Sequence, residues 1–548
     1  MVIKDLQKIV RGSANLGPKH QRHSVTSTEA FSNLTRLKYL YLNNNAISVI
    51  SSGAFRGLTS LETLKLHYNG ITALSSDDFS GLSSLRNLYL YNNKISTLPS
   101  GIFSGLNSLT SLQLHNNDIT TLSSDDFNGL FSLEELNLLW LNWLRELYIN
   151  NNNITTLSSD DFNGLSRLKY LDLYNNKIST LPSGIFSGLN SLISLSLSNN
   201  KITTLSSDDF NGLFSLQYLY LENNKISTLP SGIFSGLNSL ISLLLYSNNI
   251  TTLSSDDFNG LFSLEELYLY SNTISTLPSG IFSGLNWLKR LQLHNNDITT
   301  LSSDAFNRLS SLKYLDLYNN KISTLPSGIV SGLNSLISLS LSNNKITTLS
   351  SDDFNGLFSL QYLYLENNKI STLPSGIFSG LNSLTSLLLY SNNITTLSSD
   401  DFNGLFSLEE LYLYSNTIST LPSGIFSGLN WLKRLQLHNN DITTLSSDAF
   451  NGSDIFVSLH GNPWACDCRL RGLRQWIEDN SKRINITLNG LTCQTPQAYA
   501  GLDFMDISEE NMTHTSPEFP ELIRWVDADE ESDIFNPIQY DGYRSQLY

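Results

Sequence analysis

Residues 168–178 read Leu-Lys-Tyr-Leu-Asp-Leu-Tyr-Asn-Asn-Lys-Ile, and this run decides the fold. A leucine equivalent to Leu171 stands every 24 residues from Leu40 to Leu435, with one break in the spacing after Leu136. About 18 such units follow one another. A repeat of this length indicates a solenoid, in which each unit forms one coil and buries its apolar face against its neighbours.

Alternation within each unit predicts one short strand. Leu171 and Leu173 point inward, and the residues between them point outward. The amide of Asn176 is expected to bond buried backbone groups of adjacent coils. Phe186 and its equivalents are expected to stack as a second apolar spine. The predicted fold is therefore an α/β solenoid, a horseshoe with a concave parallel β-sheet and a short helical or irregular convex side.

Most alternate units carry two adjacent carboxylates before their phenylalanine, as at Asp208-Asp209 and Asp256-Asp257. Such pairs are candidates for calcium binding or for acid–base chemistry. Serine followed by two aspartates also caps the start of a short turn. Because the pairs recur with the period of the scaffold, capping is the favoured interpretation, and no metal site is predicted.

A large block of the chain is present twice. Residues 168–307 and 312–451 match at all but two positions, at an offset of 144 residues or six units. One of the two differences, Phe186 against Val330, lies in the apolar spine. The smaller side chain predicts looser packing in the second copy.

The end of the repeats carries a specific motif. Residues 462–468 read Asn-Pro-Trp-Ala-Cys-Asp-Cys, and Cys493-Gln-Thr-Pro follows further on. Together with the repeated pattern, this motif resembles the extracellular leucine-rich repeat proteins of the 24-residue class, which have a C-terminal cysteine-rich cap. The likeness covers about residues 34–510 and is greatest to variable lymphocyte receptors and to Toll- and Slit-type ectodomains. In that family the cap covers the open apolar end of the solenoid.

The resemblance implies one disulfide, between Cys466 and Cys493. The family's fourth cysteine is missing from this chain, so Cys468 is expected to form no disulfide. A zinc site is not predicted either, because a fourth ligand at a suitable spacing is missing.

These motifs divide the chain into four segments. The first lacks both the family's N-terminal cap and a signal peptide, and the last is strongly acidic. From Asp503 to the last residue the chain has 12 acidic and 2 basic residues, and this region holds most of the net charge of −16. The predicted segments are a poorly ordered start at 1–33, a solenoid at 34–461 with a truncated unit near 136–146, a cap at 462–513 and a disordered acidic tail at 514–548.

The net charge limits the classes of partner, and the sequons indicate where the protein is located. The net negative charge disfavours nucleic acid, whose partners need a basic surface. No apolar run reaches the roughly 18 residues of a membrane helix. Asn-x-Ser/Thr sequons support an extracellular location, whether secreted or at the cell surface. The predicted glycosylation sites are Asn33, Asn153, Asn249, Asn393, Asn451, Asn485 and Asn511.

The outward strand positions hold 20 of the 24 tyrosines. Tyrosine suits strands and can form a stabilising ladder. A face lined with exposed aromatic residues more strongly favours a binding surface. Acidic residues and a basic patch at Arg290 and His294 lie among them, and His438 and His460 should be neighbours about 5 Å apart. The predicted ligand-binding residues are Tyr170, Asp172, Tyr174, Tyr218, Tyr220, Glu222, Tyr246, Tyr268, Tyr270, Tyr314, Asp316, Tyr318, Tyr362, Tyr364 and Glu366.

The resemblance implies recognition rather than catalysis. We expect a non-enzymatic, receptor-like or innate-immune protein that binds extracellular protein or glycan ligands on the concave face. No catalytic residues or cofactors are predicted, because the solenoid brings no nucleophile and base together. The alternative is an adhesion or matrix protein that acts through homophilic or matrix contacts. Since the duplicated patches lie six strands apart, about 29 Å along the sheet, a repetitive ligand would gain avidity.

Overall fold

The structure, a computed structural model, describes residues 23–25, 31, 34–123, 125–127, 144–446, 455–480 and 491–512. The predictions for the acidic tail therefore lie outside the described residues. Of the N-terminal segment, the strand His23–Val25 pairs in parallel with Ile47–Ile50, and the ring of Phe31 lies 6.2 Å from that of Phe55. Both contacts join this segment to the first coil.

Eighteen three-residue strands of the described chain form one parallel sheet on the concave side. Each strand pairs in register with the next, as where Leu171 lies opposite Leu195. The first and last strands each have one neighbour, so the sheet is open. The predicted solenoid is thereby confirmed. In chain order the strands are β1 Tyr39–Tyr41, β2 Thr63–Lys65, β3 Asn87–Tyr89, β4 Ser111–Gln113, β5 Glu146–Tyr148, β6 Tyr170–Asp172, β7 Ser194–Ser196, β8 Tyr218–Tyr220, β9 Ser242–Leu244, β10 Glu266–Tyr268, β11 Arg290–Gln292, β12 Tyr314–Asp316, β13 Ser338–Ser340, β14 Tyr362–Tyr364, β15 Ser386–Leu388, β16 Glu410–Tyr412, β17 Arg434–Gln436 and β18 Phe456–Ser458.

The sheet continues directly across the short unit. β4 pairs with β5, with Ser111 opposite Glu146 and Leu112 opposite Leu147. The truncated unit predicted near 136–146 lies mostly outside the described residues. Residues 128–143 are outside the described part of the chain.

A buried asparagine in each coil links it to the preceding coil. Asn200 donates from Nδ2 to the carbonyl oxygens of Leu173 and Leu197, both at 3.0 Å. Its Oδ1 accepts the N–H of Ile178 at 3.0 Å. Equivalent bonds recur as far as Asn462. The predicted role of the asparagine is confirmed, because it satisfies backbone groups that water cannot reach.

The phenylalanine spine is also confirmed. The rings of Phe186 and Phe210 are stacked, with centroids 6.4 Å apart and an interplanar angle of 5°. Similar contacts run along the described coils from Phe31 to Phe426 and are interrupted where Val330 stands between Phe306 and Phe354. All these side chains are buried.

The convex side of the described solenoid consists of turns, with a short strand pair at Thr276–Leu277 and Thr300–Leu301. In the turn after Ser206, its N–H donates to Asp209 Oδ2 at 2.8 Å. This is one half of a capping box, in which an acid three residues on bonds back to the first N–H. The first aspartate of a pair instead accepts a serine hydroxyl of the preceding coil, as Asp256 does from Ser231 at 2.6 Å. The carboxylate pairs therefore close turns and join coils.

The described residues beyond the last strand cover the end of the solenoid. Trp464 is buried and donates from Nε1 to the carbonyl oxygen of Leu459 at 3.2 Å. The predicted disulfide between Cys466 and Cys493 is confirmed, and Cys468 is not part of it. No helix in the described chain is long and apolar enough to cross a membrane. The elements here are strands Trp464–Ala465 and Cys493–Thr495, helix α1 Arg471–Asn480, and 3₁₀ helices Cys468–Leu470, Gln497–Tyr499, Phe504–Asp506 and Glu509–Asn511.

Candidate ligand-binding face

Outward side chains form three columns that run across the strands of the concave sheet. In β6 the first column holds Tyr170 and the second Asp172, and the third holds Tyr174, two residues beyond the end of the strand. Because the strands pair in register, each column continues unbroken into the neighbouring coils. Adjacent members of a column therefore lie about 4.8 Å apart at the backbone.

Rings of the third column stack on one another. Tyr246 stacks on Tyr270, and Tyr270 on His294, with centroids 4.3 Å apart in both pairs. These tyrosines form the ladder that the sequence left as an alternative, and the rings support each other across coils. The duplicated block repeats the stack and extends it through the predicted histidine pair, as Tyr390, Tyr414, His438 and His460.

Other tyrosines are left open to solvent. Tyr170 and Tyr174 are 39% and 40% exposed, and their copies Tyr314 and Tyr318 bound the same kind of surface. Exposed rings of this kind provide contact area without loss of core packing. The concave face therefore contains both a structural ladder and available aromatic surface.

The first hollow lies over β7, where all three columns hold serine. Ser194, Ser196 and Ser198 form a low floor between the bulkier side chains of β6 and β8, and the hollow has a volume of about 320 Å³. The hydroxyl oxygens of Ser196 and Ser198 are 3.3 Å apart. The walls of the first hollow are Tyr148, Tyr170, Asp172, Tyr174, Tyr220 and Glu222.

The second hollow lies six strands further on, over β13, and has the same volume. Its floor and most of its walls are copies of the first, but the flanking strand differs. β11 carries Arg290, whose guanidinium carbon lies 4.3 Å from the ring centroid of Tyr314. His294 Nδ1 lies 3.1 Å from Asp316 Oδ2. The second hollow is lined by Arg290, Gln292, Tyr314, Asp316, Tyr318, Ser338, Ser340, Ser342, Tyr364 and Glu366.

A third hollow of about 360 Å³ lies over β9, where Ser242 and Leu244 are the smaller side chains. Its walls are aromatic and acidic. They are Tyr218, Tyr220, Tyr246, Glu266, Tyr268 and Tyr270.

The structure brings together almost all of the predicted ligand-binding residues. Each of them except Tyr362 lines one of the three hollows. Tyr362 is 40% exposed and lies beside Tyr364. The serine floors were not predicted, although a strand with serine at all three outward positions between tyrosine-rich strands is a visible signal. That these residues bind a ligand stays a prediction.

Glu222 is the most enclosed carboxylate of the first hollow. Its side chain is 9% exposed, and Oε2 has no hydrogen-bond partner among the described residues. Burial raises the pKa of Glu222, although bonds from its own backbone and from Ser198 oppose that rise. Burial, together with the nearby charge of Glu222, raises the pKa of Tyr246 to about 12. The hydroxyl of Tyr246 is therefore a neutral group at physiological pH.

Four predicted glycosylation sites lie within the described residues. Asn249 and Asn393 are exposed just past the buried asparagine of their coils, and Asn153 is half-buried at the equivalent place. Asn511 is exposed in the cap. Sites Asn33, Asn451 and Asn485 are outside the described chain. Glycosylation at all seven stays a prediction.

Among curated proteins the chain is similar to short parts of two human proteins. It is 45% identical over 49 residues to the human leucine-rich repeat, immunoglobulin-like domain and transmembrane domain-containing protein 2, which is 9% of this chain and 9% of that protein. It is 35% identical over 65 residues to human reticulon-4 receptor-like 2, which is 12% of this chain and 14% of that protein. The chain thus aligns with about a tenth of the length of each.

Solved structures share the fold over most of the chain. The Toll chain of a Drosophila Toll–Spatzle complex superposes with a TM-score of 0.72 at 24% identity, over 84% of this chain and 63% of that one. A leucine-rich repeat protein of Leptospira interrogans is 30% identical, with a TM-score of 0.56, over 76% of this chain and 94% of that one.

The repeats themselves match a family along nearly the whole described solenoid. The family is described as leucine rich repeat, and its matches overlap one another along the chain. They cover residues 19–71, 35–95, 83–140, 142–192, 171–226, 215–274, 262–322, 311–370, 358–418 and 406–460. With well over half of its length matched, and with the coils, asparagine ladder and phenylalanine spine described above, this chain belongs to the leucine-rich repeat family.

Proposed function

We propose that this protein is an extracellular, receptor-like recognition protein that binds a protein or glycan ligand on its concave face and acts without catalysis. The observation that carries the proposal is the placement of fourteen predicted residues in three hollows on one continuous sheet. Their side chains are mainly tyrosines, interspersed with carboxylates. Aromatic groups of low conformational entropy beside polar groups are typical of recognition surfaces.

The shape of the hollows suits binding better than catalysis. They are open depressions rather than enclosed clefts, and their lining residues include no cysteine or histidine. An enzyme generally holds a nucleophile or base within reach of a second polar group in a closed pocket. An open concave sheet instead offers a wide contact area for a large ligand.

The relatives support a receptor-like role. Two of the solved structures are complexes, one of Toll with Spatzle and one of a plant peptide hormone receptor with its peptide. The second superposes on this chain with a TM-score of 0.61 at 22% identity. At these identities the likeness concerns the fold, and an innate-immune role for this chain follows only by analogy.

The proposal can be tested with a protein and glycan array and one triple variant. We expect the secreted chain to bind at least one array component. Replacing Tyr170, Tyr220 and Tyr268 together with serine should then weaken that binding by at least about a hundredfold, since the loss of even one aromatic hot spot costs about 2 kcal/mol or more. The melting temperature should change little, because these rings lie on the solvent side of the sheet.

A matched control carries three serine substitutions at exposed aromatic residues off the sheet, Phe214, Phe262 and Trp287. It should bind the array component normally. Self-association is measured in parallel by sedimentation. Loss of self-association without any array ligand would favour the adhesion alternative, and loss of thermal stability alone would favour a purely structural role for these three tyrosines.

A further inference from the structure

The first and second hollows each contain a buried carboxylate with an unused oxygen. Glu222 and Glu366 are 9% and 8% exposed, and Oε2 of each lacks a hydrogen-bond partner in the described part of the chain. Both residues line their hollow. A buried acceptor without a partner is costly to keep. A donor brought by a ligand would remove that cost.

The surroundings of each carboxylate suit a cationic donor. Asp172 lies in the same hollow as Glu222 and uses Oδ1 to accept the N–H of Tyr174 at 2.9 Å. Tyrosine rings wall the hollow, and the face of such a ring attracts ammonium and guanidinium groups. The chain itself shows this contact, because the guanidinium of Arg290 packs on the ring of Tyr314.

The two hollows differ in charge at one equivalent position. β5 places Glu146 beside Tyr170, whereas β11 places Arg290 beside Tyr314, 144 residues later. Arg290 adds a positive charge at the rim of the second hollow and covers a ring that a cationic ligand would use. Glu146 adds a negative charge at the rim of the first. An incoming cation therefore meets a more favourable field at the first hollow.

Building on the proposed recognition function, we propose that the two hollows are subsites for basic side chains of a protein ligand. Each takes one lysine or arginine, with Glu222 or Glu366 as the counter-ion, and the first hollow binds more tightly. The subsites are about 29 Å apart along the sheet. A ligand with two suitably spaced basic groups occupies both at once and gains avidity.

A basic protein fits this surface better than an acidic partner does. Residues 1–502 carry a net charge of −6, and carboxylates stand in all three hollows. Long-range attraction would speed the association of a basic partner, and the subsites would then determine its register. Acidic glycans and nucleic acids would be repelled by the same field.

The test uses synthetic peptides as probes. The monovalent probe is a Gly/Ser peptide with one Arg-Arg pair, and the bivalent probe has two pairs joined by about 27 Gly/Ser residues, which span roughly 29 Å. Matched probes replace arginine with neutral citrulline. Binding to the full chain is measured by fluorescence anisotropy at low salt. We expect the bivalent arginine probe to bind at least about tenfold more tightly than the monovalent one, and the citrulline probes to bind weakly.

Variants assign the binding to the hollows. Glu222→Gln and Glu366→Gln should each remove the bivalent gain, and the double variant should lose at least about tenfold of the monovalent affinity. Asp160→Asn removes the same charge from an exposed convex turn and should leave both affinities unchanged. In each single Gln variant, the affinity of the monovalent probe reports on the unchanged hollow. The affinity measured for the first hollow should be the higher of the two.

A charge swap at the rim keeps the test informative if the buried variants fold poorly. Glu146 and Arg290 are both partly exposed, so Glu146→Arg and Arg290→Glu should be tolerated. Glu146→Arg should weaken probe binding at the first hollow, and Arg290→Glu should strengthen probe binding at the second hollow. The proposal is overturned if the swaps have no effect, if citrulline probes bind as well as arginine probes, or if no probe binds at millimolar concentration. Array binding that still depends on Tyr170, Tyr220 and Tyr268 would then leave the proposed function standing.

Discussion

The buried asparagine is the residue on which the joining of coils most depends. Each one makes hydrogen bonds to its own coil and to the preceding coil, at positions closed to water. Its amide has a donor and an acceptor on one rigid group, which a hydroxyl or a carboxylate does not provide. The residue before it has positive φ, as at Asn199 with 55°, a conformation that asparagine tolerates better than most residues.

Asn200→Leu is expected to destabilise the solenoid by about 2–4 kcal/mol, because it leaves the N–H of Ile178 buried without a partner and removes one of the two amide bonds to the carbonyl of Leu173. Thermal unfolding followed by circular dichroism measures the effect. The neighbouring Asn199→Ser is the matched control, since serine already occupies the equivalent position at Ser247. Equal losses in the two variants would contradict this role for the buried amide.

The buried aspartate of the convex turns gives a pH-dependent prediction. Burial is the main cause that raises the pKa of Asp209 to about 6, against 3.8 for the ordinary group. The folded state therefore holds this proton more tightly than the unfolded state does. The resulting stability is fully present below about pH 3.8 and is lost as the pH rises through about 6.

Asp209→Ala should therefore cost more stability at pH 4 than at pH 7. The equivalent position of another coil already holds Ala305, which is buried in a turn of the same kind. Melting temperatures of the wild type and the variant at the two pH values give the comparison. A penalty that is independent of pH, or larger at pH 7, would show that the carboxyl of Asp209 does not titrate in this way.

At the scale of elements, the phenylalanine spine acts as a continuous support for the convex turns. Its rings repeat at 5.9–6.4 Å in the described coils and are nearly parallel. The duplication preserved every ring of the copied block except one, which is now Val330. The second block thus contains a natural test of what one ring contributes.

Val330→Phe is expected to stabilise the solenoid by about 1 kcal/mol or more, and Phe186→Val to destabilise it by about 1–3 kcal/mol, through the loss of buried volume. Thermal melts of both variants provide the measurement. Ile241→Thr, which reproduces the other difference between the copies, is a control that should change stability by no more than about 0.5 kcal/mol, since that side chain is only half-buried. Destabilisation by Val330→Phe would show that the coil has repacked around valine.

At the scale of the whole molecule, the repeated elements could be predicted from the sequence. The shape of the concave surface could be predicted only in part. The positions of the strands and the roles of Asn200 and Phe186 follow from a pattern that recurs in many coils. An irregularity in one coil therefore does not change the prediction. The first hollow depends instead on side-chain sizes in three adjacent strands. The unused oxygen of Glu222 depends on where its neighbours lie, and no one-dimensional pattern encodes that.

The direct pairing of β4 with β5 shows the same limit. The repeat pattern assigns a coil wherever its leucines recur, and Leu136 satisfies it. The pairing of Ser111 with Glu146 depends on contacts between strands, which the repeat pattern does not encode.

The claim that the concave face recognises the ligand is tested most directly by hydroxyl-radical footprinting of the chain, with and without its array-identified ligand. Oxidation of exposed aromatic rings is read by mass spectrometry, ring by ring. We predict protection of Tyr170, Tyr174 and Tyr318, and unchanged oxidation of Phe214 and Trp287 off the sheet. Protection of Phe214 and Trp287 with the three tyrosines unchanged would contradict the account.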